Sequence, residues 1–340
     1  MNNNIRSTVS VIIPSHNRRH TLPLALESMQ GQIFPHWECL VIDDNSDDDT
    51  QSLTEAYQQR DARFRYLKMS PGQSGANRAR NLGVQESHHA YVLFLDSDDA
   101  LAASCLQARV TQMETQPHLD FGVWPTLLFE NTPGDSTLLW NVASAEDDLN
   151  RFLALDIPWQ TAGVLWRRTA LDKMGPWNEQ LPSWQDWEFH LRALATGLTY
   201  RKFEKPDSYW RTPRSDSIGK HSYQIGHLDS RRRLLADIED ILRREDKWGE
   251  KQKRLMVGLY FWHARLWYSK LRNRFKGLSE WHAAWRRGLV KTGPFLQGCR
   301  WFSKLTRGFA KDPRIFFHQW PEEYLAGSSK TFQTVHYRAL

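Results

Sequence analysis

The chain has 340 residues, of which 40% are hydrophobic and 25% charged. This is ordinary globular composition, enough for one large domain plus an appendage, and it excludes a disordered chain. No run of about eighteen apolar residues occurs, so no membrane-spanning helix is expected. The start, Met1 to Arg6, is polar and shows no signal peptide. Cys39, Cys105 and Cys299 are dispersed, with neither a pairing framework nor CxxC spacing, so a cytoplasmic protein is expected. The formal net charge of +6 conceals an asymmetry. Residues 1–220 carry 21 Lys+Arg against 28 Asp+Glu, net −7, whereas residues 221–340 carry 24 against 11, net +13. That shift divides the chain into 1–220 and 221–340.

Along the first part, residues 8–13 form an apolar, β-rich run that Pro14 is expected to stop. Thr21 opens a helix as N-cap, with Pro23 in its first turn and Gly31 past its end. Residues 39–42 read as a second buried strand, followed by an acidic loop from Asp43 to Asp49. Residues 64–67 read as a third strand and residues 76–85 as a helix. Residues 91–95 read as a further buried strand, closed by Asp96-Ser97-Asp98-Asp99. Strand and helix alternating at this rhythm imply parallel βαβ units in an open α/β sheet.

Polar clusters then stand at three successive strand ends: Pro14-Ser15-His16-Asn17, Asp43-Asp44-Asn45-Ser46 and Asp96-Ser97-Asp98-Asp99. In a parallel sheet these ends share one edge, where open α/β sheets bind ligands. The last cluster crowds three carboxylates, which repel one another unless a cation holds them. Hard oxygen ligands suit Mg²⁺ or Mn²⁺, ions that usually serve phosphate-bearing substrates. The plainer alternative is a polar turn capping a helix that starts near Leu101. No GxGxxG follows the first strand, and neither GxxxxGK[ST] nor GxSxG occurs, which weighs against dinucleotide, P-loop and hydrolase chemistry.

The run from Val9 to Arg18 resembles the opening of family 2 glycosyltransferases, inverting enzymes of the GT-A fold. Leu40-Val41-Ile42-Asp43-Asp44-Asn45-Ser46 resembles the family's second motif, and Gly75-Ala76-Asn77-Arg78-Ala79-Arg80-Asn81-Leu82-Gly83 its third. Phe94-Leu95-Asp96-Ser97-Asp98-Asp99 is similar to its metal-binding DxD region. Gly163 to Glu179 and Trp184-Gln185-Asp186-Trp187-Glu188-Phe189 resemble its acceptor-side motifs. The resemblance runs in order over about residues 8–215.

It implies a GT-A-like, mostly parallel mixed sheet flanked by helices, with a helical C-terminal extension. Pro14, Ser15 and Asn17 would surround the base and ribose, and Asp44, or its neighbour Asp43, would accept from the base ring N–H, a task that suits an acceptor-only carboxylate. Arg80 would face the diphosphate. Asp96 would contact the ribose or the metal shell, and Asp98, assisted by Asp99, would hold Mn²⁺ or Mg²⁺. Gly163, Trp184 and Gln185 would lie on the acceptor side. Asp186, at the start of a helix whose Trp187, Leu191 and Leu194 repeat on one face, matches the catalytic base. The family's Tyr-Arg-x-His segment is met by Tyr209-Trp210-Arg211-Thr212-Pro213-Arg214, with Pro213 where His is expected. The implied activity is sugar transfer from a nucleotide diphosphate, UDP-linked, to a hydroxyl of a glycan or lipid-linked acceptor. Two rivals are a sugar nucleotidyltransferase, which would need a Gly-rich basic loop after the first strand, and a non-catalytic carbohydrate-binding module, which has no use for Asp98, Asp99 and Asp186 together.

From His221 onward the sequence is helical, basic and rich in tryptophan. Leu255, Leu259, Trp262 and Leu266 form an apolar stripe, flanked by Lys251, Lys253, Arg254, Arg265 and Lys270. Trp281, Trp285 and Trp301 recur beside Arg286, Arg287, Lys304 and Arg307. The stripe suits packing against the first domain. The cationic, Trp-bearing surface suits peripheral contact with an anionic membrane at the inner face, or with a lipid-linked acceptor. No recognition motif for nucleic acid accompanies it, so nucleic acid is not expected as a partner.

Overall fold

The computed structural model describes residues 8–212, 224–269 and 271–306. The residues from Met1 to Arg6, Pro213, Arg214, Lys270 and Arg307 lie outside these, as does the Lys304 side chain. Strands β1 (Val9–Ser15), β2 (Trp37–Asp43), β3 (Phe64–Lys68) and β4 (Tyr91–Phe94) form the parallel half of a seven-stranded sheet ordered β3-β2-β1-β4-β8-β6-β9. Strands covered on both faces have no polar side, hence their near-continuous Val, Ile and Leu. Ile12, Leu40, Ile42, Val92 and Phe94 enter one core, while Val11, Ile13, Cys39, Val41 and Leu93 enter the other. Strand β8 (Val164–Arg167) runs antiparallel between β4 and β6 (Phe121–Val123), and β9 (Tyr200–Lys202) pairs parallel to β6. The sheet is therefore mixed and mostly parallel, flanked by helices α1 (Leu22–Gln30), α2 (Thr50–Arg60), α3 (Ala76–Glu86), α4 (Cys105–Glu114), α5 (Asp148–Leu153), α6 (Arg168–Met174) and α7 (Gln185–Ala195).

Two expectations change. Pro14 does not stop β1, because β4 has ended opposite Ile12 and Pro14 pairs only with Ile42 of β2; at such an open flank a missing N–H is tolerated. No helix starts at Leu101. Ala100–Leu101 is instead a short strand, β5, in a second sheet ordered β5-β10-β7 with β10 (Ser208–Arg211) and β7 (Thr126–Phe129). The helix follows at Cys105.

The C-terminal region is helical: α8 (Ile225–Arg244), α9 (Glu250–Ser269), α10 (Arg274–Arg286) and α11 (Thr292–Thr306). Leu255 and Leu259 of the expected stripe are buried in the same core as Phe152 of α5 and Trp187 and Leu191 of α7. Lys251 pairs with Glu146 at 2.6 Å, and Gln252 donates to Asn150 at 2.8 Å, fastening α9 beside α5. The packing use of the stripe is realised, and one apolar core runs across residue 220. Among the described residues no helix is long and apolar enough to cross a membrane.

One buried ion pair joins the two sheets. Arg109 of α4 is fully buried, and its Nε donates to Asp207 at 3.0 Å. Its Nη1 donates to the Ala162 carbonyl at 2.8 Å, and its guanidinium lies 4.9 Å from the Trp124 ring. Asp207→Ala would strand this charge in the core and should lower unfolding free energy by about 3–5 kcal/mol in urea titrations. A loss below about 1 kcal/mol, the range of exposed pairs, would contradict this account.

Candidate active site

The register of β1 against its neighbours places Ser15 beside Asp43 and Ile12 beside Phe94, so the three polar strand ends do share one edge. The first two loops brace each other. Asp44 N donates to the Ser15 carbonyl at 2.8 Å, and His16 Nδ1 lies 2.8 Å from the Asp44 carbonyl. Asn17, at φ 53°, adopts the left-handed conformation that Asn tolerates well. Its N–H donates to Ser46 Oγ and its side-chain oxygen accepts from Asp47 N, both at 2.9 Å.

The adjacent acids at the end of β2 have different tasks. Asp43 is fully buried and accepts from Ser46 N at 3.1 Å, from the Ser46 hydroxyl and from the Tyr66 hydroxyl at 2.6 Å. Burial and this bond push the Tyr66 phenol upward. Asp43 therefore holds the loop. Asp44 uses Oδ2 to accept from Gly75 N at 2.7 Å, while its Oδ1 is buried without a partner. The Ser15 hydroxyl is likewise buried and unpartnered. Buried polar atoms are normally satisfied, so these two mark where a polar ligand would sit.

Arg80 of α3 occupies the centre. Its side chain is only 4% exposed. Nη2 donates to Asp96 at 2.8 Å and lies 3.9 Å from Asp186, while Nη1 donates to Asn77 at 3.2 Å and Gln185 at 3.5 Å. The guanidinium lies over the Trp177 ring at 4.6 Å. The residue expected to face a diphosphate is thus enclosed between two carboxylates, where it joins the end of β4 to the start of α7.

Asp96, Asp98 and Asp99 crowd as expected. Burial raises all three, and like charges raise them further: Asp186 acts on Asp96, Asp96 on Asp98, and Asp98 with Asp96 on Asp99. Arg18, unremarked in the sequence beyond its motif, opposes this at Asp96 and Asp98. Asp99 is buried and accepts from Arg211 N at 2.9 Å, so it anchors β10. Arg211 Nε also donates to the Asp98 carbonyl at 3.1 Å. Among the described residues no three His, Cys, Asp or Glu side chains are grouped to hold a metal unaided. The partly buried, repelled carboxylate of Asp98 suits a divalent ion that takes its remaining ligands from phosphate and water.

Asp186 lies in the first turn of α7 and its Oδ1 is buried without a hydrogen-bond partner. The preceding Trp184 has φ 62°, rare and strained for a bulky residue. Its ring stacks on Trp262 of α9 at 5.4 Å, meets Trp187 at 4.9 Å and lies under the Arg231 guanidinium of α8 at 4.8 Å. Arg231 also donates to Ser183 at 3.1 Å. These contacts over-determine the turn that presents Asp186. Sequence reading missed Arg231 and Trp262 in this role because their partner lies about fifty or more residues away. Gln185 donates to the Leu181 carbonyl at 3.1 Å and faces Arg80. Gly163 is a packing residue: a Cβ there would stand 2.7 Å from the Trp124 carbonyl oxygen.

These features define a GT-A fold with a strand-edge crevice ringed by carboxylates. Residues 10–173, just under half of the chain, match the family model described as Glycosyl transferase family 2, and this match together with the curated glycosyltransferase relatives supports a family 2 glycosyltransferase. It is 39% identical over 98 residues to a GalNAc(5)-diNAcBac-PP-undecaprenol beta-1,3-glucosyltransferase of Campylobacter jejuni, covering 29% of this chain and 32% of that one. It is 34% identical over 105 residues to an Escherichia coli UDP-Glc:alpha-D-GlcNAc-diphosphoundecaprenol beta-1,3-glucosyltransferase, covering 31% and 40%. The aligned parts thus span about a third to two fifths of these curated relatives. Among solved structures, Staphylococcus aureus TarS 1–349 in complex with UDP-GlcNAc superposes with TM-score 0.57 at 17% identity, covering 83% of this chain and 92% of that one. A Pyrobaculum calidifontis mannosyltransferase in complex with GDP-Man and Mn²⁺ gives 0.53 at 15%, covering 95% and 86%. The family match ends before α7, so the place of Asp186 rests on geometry alone.

A carboxyl whose pKa is raised by folding costs stability once pH exceeds its unfolded value, and the cost is complete above its folded value. Asp98→Asn should therefore raise the thermal midpoint at neutral pH in chelator, with the gain vanishing below about pH 4, the ordinary carboxylate range. A lower midpoint at neutral pH would show that Asp98 holds the fold instead.

Proposed function

We propose that the protein is an inverting glycosyltransferase that moves a sugar from a UDP-linked donor to a hydroxyl of a glycan or lipid-linked acceptor. The observation that carries this reading is the placement of Asp186, with one carboxylate oxygen unpartnered, across Arg80 from the Asp96–Asp98 cluster. Asp44 Oδ1 and Ser15 line the nucleotide end, where an acceptor-only atom meets a base ring N–H such as that of uracil. Pro14 and Asn17 shape that loop. Support for the donor and acceptor classes comes from the relatives' names, which include UDP-glucose and diphosphoundecaprenol.

Asp186 takes the proton of the acceptor hydroxyl as its oxygen bonds to the anomeric carbon, and the bond from that carbon to the diphosphate breaks on the opposite face. One displacement inverts the centre. Arg80 positions Asp186 beside Asp96, and Trp184 fixes the entry angle of α7. Asp98 would hold Mn²⁺ or Mg²⁺, which when bound supplies Lewis-acid stabilisation to the leaving diphosphate. On this reading the reaction runs in the cytoplasm, and a lipid-linked acceptor would bring it to the inner face of the membrane.

Asp186→Asn should leave donor binding within about threefold while transfer falls about a hundredfold or more, the usual contribution of a general base. Equal losses of binding and turnover would make Asp186 structural. Transfer should require Mn²⁺ or Mg²⁺, and Asp98→Ala should lower kcat by at least about a hundredfold. Full activity in excess chelator would end the metal assignment.

A further inference from the structure

Helix α10 is built inside out. Its inner face carries Glu280, fully buried, 3.4 Å from the buried His263 of α9 and 3.5 Å from Arg232 of α8. Gly277 on the same face packs so closely on α9 that a Cβ would meet the Tyr268 ring at 2.2 Å. The outer face is apolar. Phe275 is 90% exposed, and Leu278 and Trp285 follow at helical spacing, each more than a third exposed. Leu296 of α11, 49% exposed, continues the patch, and Phe295 stacks on Trp285 at 5.4 Å. Residues 271–303 hold seven Lys+Arg and one acid, Glu280, which points inward. Lys276 and Arg287 turn to Asp229, Glu239 and Asp240, whereas Arg274 and Arg286 are exposed at the patch.

We infer that this outer face of α10 and the start of α11 docks on an anionic membrane surface. Phe275, Leu278, Trp285 and Leu296 enter the interface, and Arg274 and Arg286 meet lipid phosphates. Apolar and aromatic side chains on one face with cations beside them are what an interfacial helix needs. Charge complementarity selects this occupant: residues 271–303 bring no exposed acid of their own, and Asp229 and Asp240 beside them are paired with Lys276 and Arg287, so the face fits an anionic surface and would repel a second copy of itself. The face differs from the Lys251 side of α9, where the cation is already engaged by Glu146. It also places the acceptor side near the lipid. Helix α10 packs on α9, and α9 carries Trp262 onto the turn before Asp186. The inference rests on the proposed lipid-linked acceptor for its meaning, but its test uses neither donor nor acceptor.

The full-length protein should co-sediment with vesicles of phosphatidylglycerol and phosphatidylcholine at low salt and not with phosphatidylcholine alone. Binding should weaken severalfold on going to physiological salt, where screening acts within about 8 Å. Phe275→Ser with Leu278→Ser, and separately Arg274→Glu with Arg286→Glu, should each weaken binding at least tenfold at an unchanged thermal midpoint. Wild-type protein that ignores anionic vesicles at low salt would overturn the inference. So would variants that bind as wild type. A fall in thermal midpoint for the serine variant would show that the chain itself covers this face. A dimer that the serine variant dissociates in light scattering would show that a second copy does.

Discussion

Two carboxylates from distant parts of the chain are brought close by a single buried cation. Asp96 at the end of β4 and Asp186 at the start of α7 both face Arg80, at 2.8 and 3.9 Å. Without that guanidinium their repulsion would act across a poorly solvated gap. The cation is itself held: Trp177 lies under it, and Asn77 accepts from it. Helix α3 grips the segment that leads into α7 by several further bonds. Asn81 donates to the Trp177 carbonyl at 3.0 Å and accepts from Trp177 N at 2.8 Å, and Asn77 donates to the Asn178 carbonyl at 2.7 Å. The ion pair of Arg78 with Glu179 at 3.0 Å lies on the same seam. One helix thereby sets the distance between two ends of the crevice that no strand pairing connects.

That arrangement explains why Arg80 was visible as a site residue in the sequence but not in its working position. Motif position fixes which helix an arginine is on, whereas the carboxylate it turns to depends on tertiary packing. The parallel strands were legible because burial on both faces leaves continuous apolar runs, and three polar strand ends in phase located the crevice. Helix α2 was not visible, since only Thr50, Thr54 and Tyr57 of its residues are buried, a stripe too polar to register. The second sheet was also hidden: β5 has two residues, and its partner β10 lies more than a hundred residues away. Neighbouring acids could not be told apart by type. Asp43 and Asp44 differ in their partners, Ser46 and Tyr66 for the first, Ser74 and Gly75 for the second.

The acidic end of β4 runs against folding stability. Three carboxyls held above their ordinary range contribute nothing to the core, and the protein offsets them only in part with Arg80, Arg18 and Arg211. Local conflict of this kind, surrounded by well-satisfied structure, is typical of a site kept for chemistry. Asp99 shows how the surroundings limit it, since its bond to the Arg211 backbone engages one acid and ties β10 of the second sheet to the segment that follows β4.

The stacked pair Trp184 and Trp262 bears on how such a chain can change over evolutionary time. Each ring comes from a different side of residue 220, and together with Arg231 they complete the turn before Asp186. Recombination that exchanged the C-terminal helices for those of a relative would remove half of an aromatic contact inside the active region. The half built at the ends of β1 and β2, by contrast, draws its bonds from residues before 80. The two halves of the crevice are therefore free to diverge at different rates, the first by substitution and the second only by paired replacement of both rings.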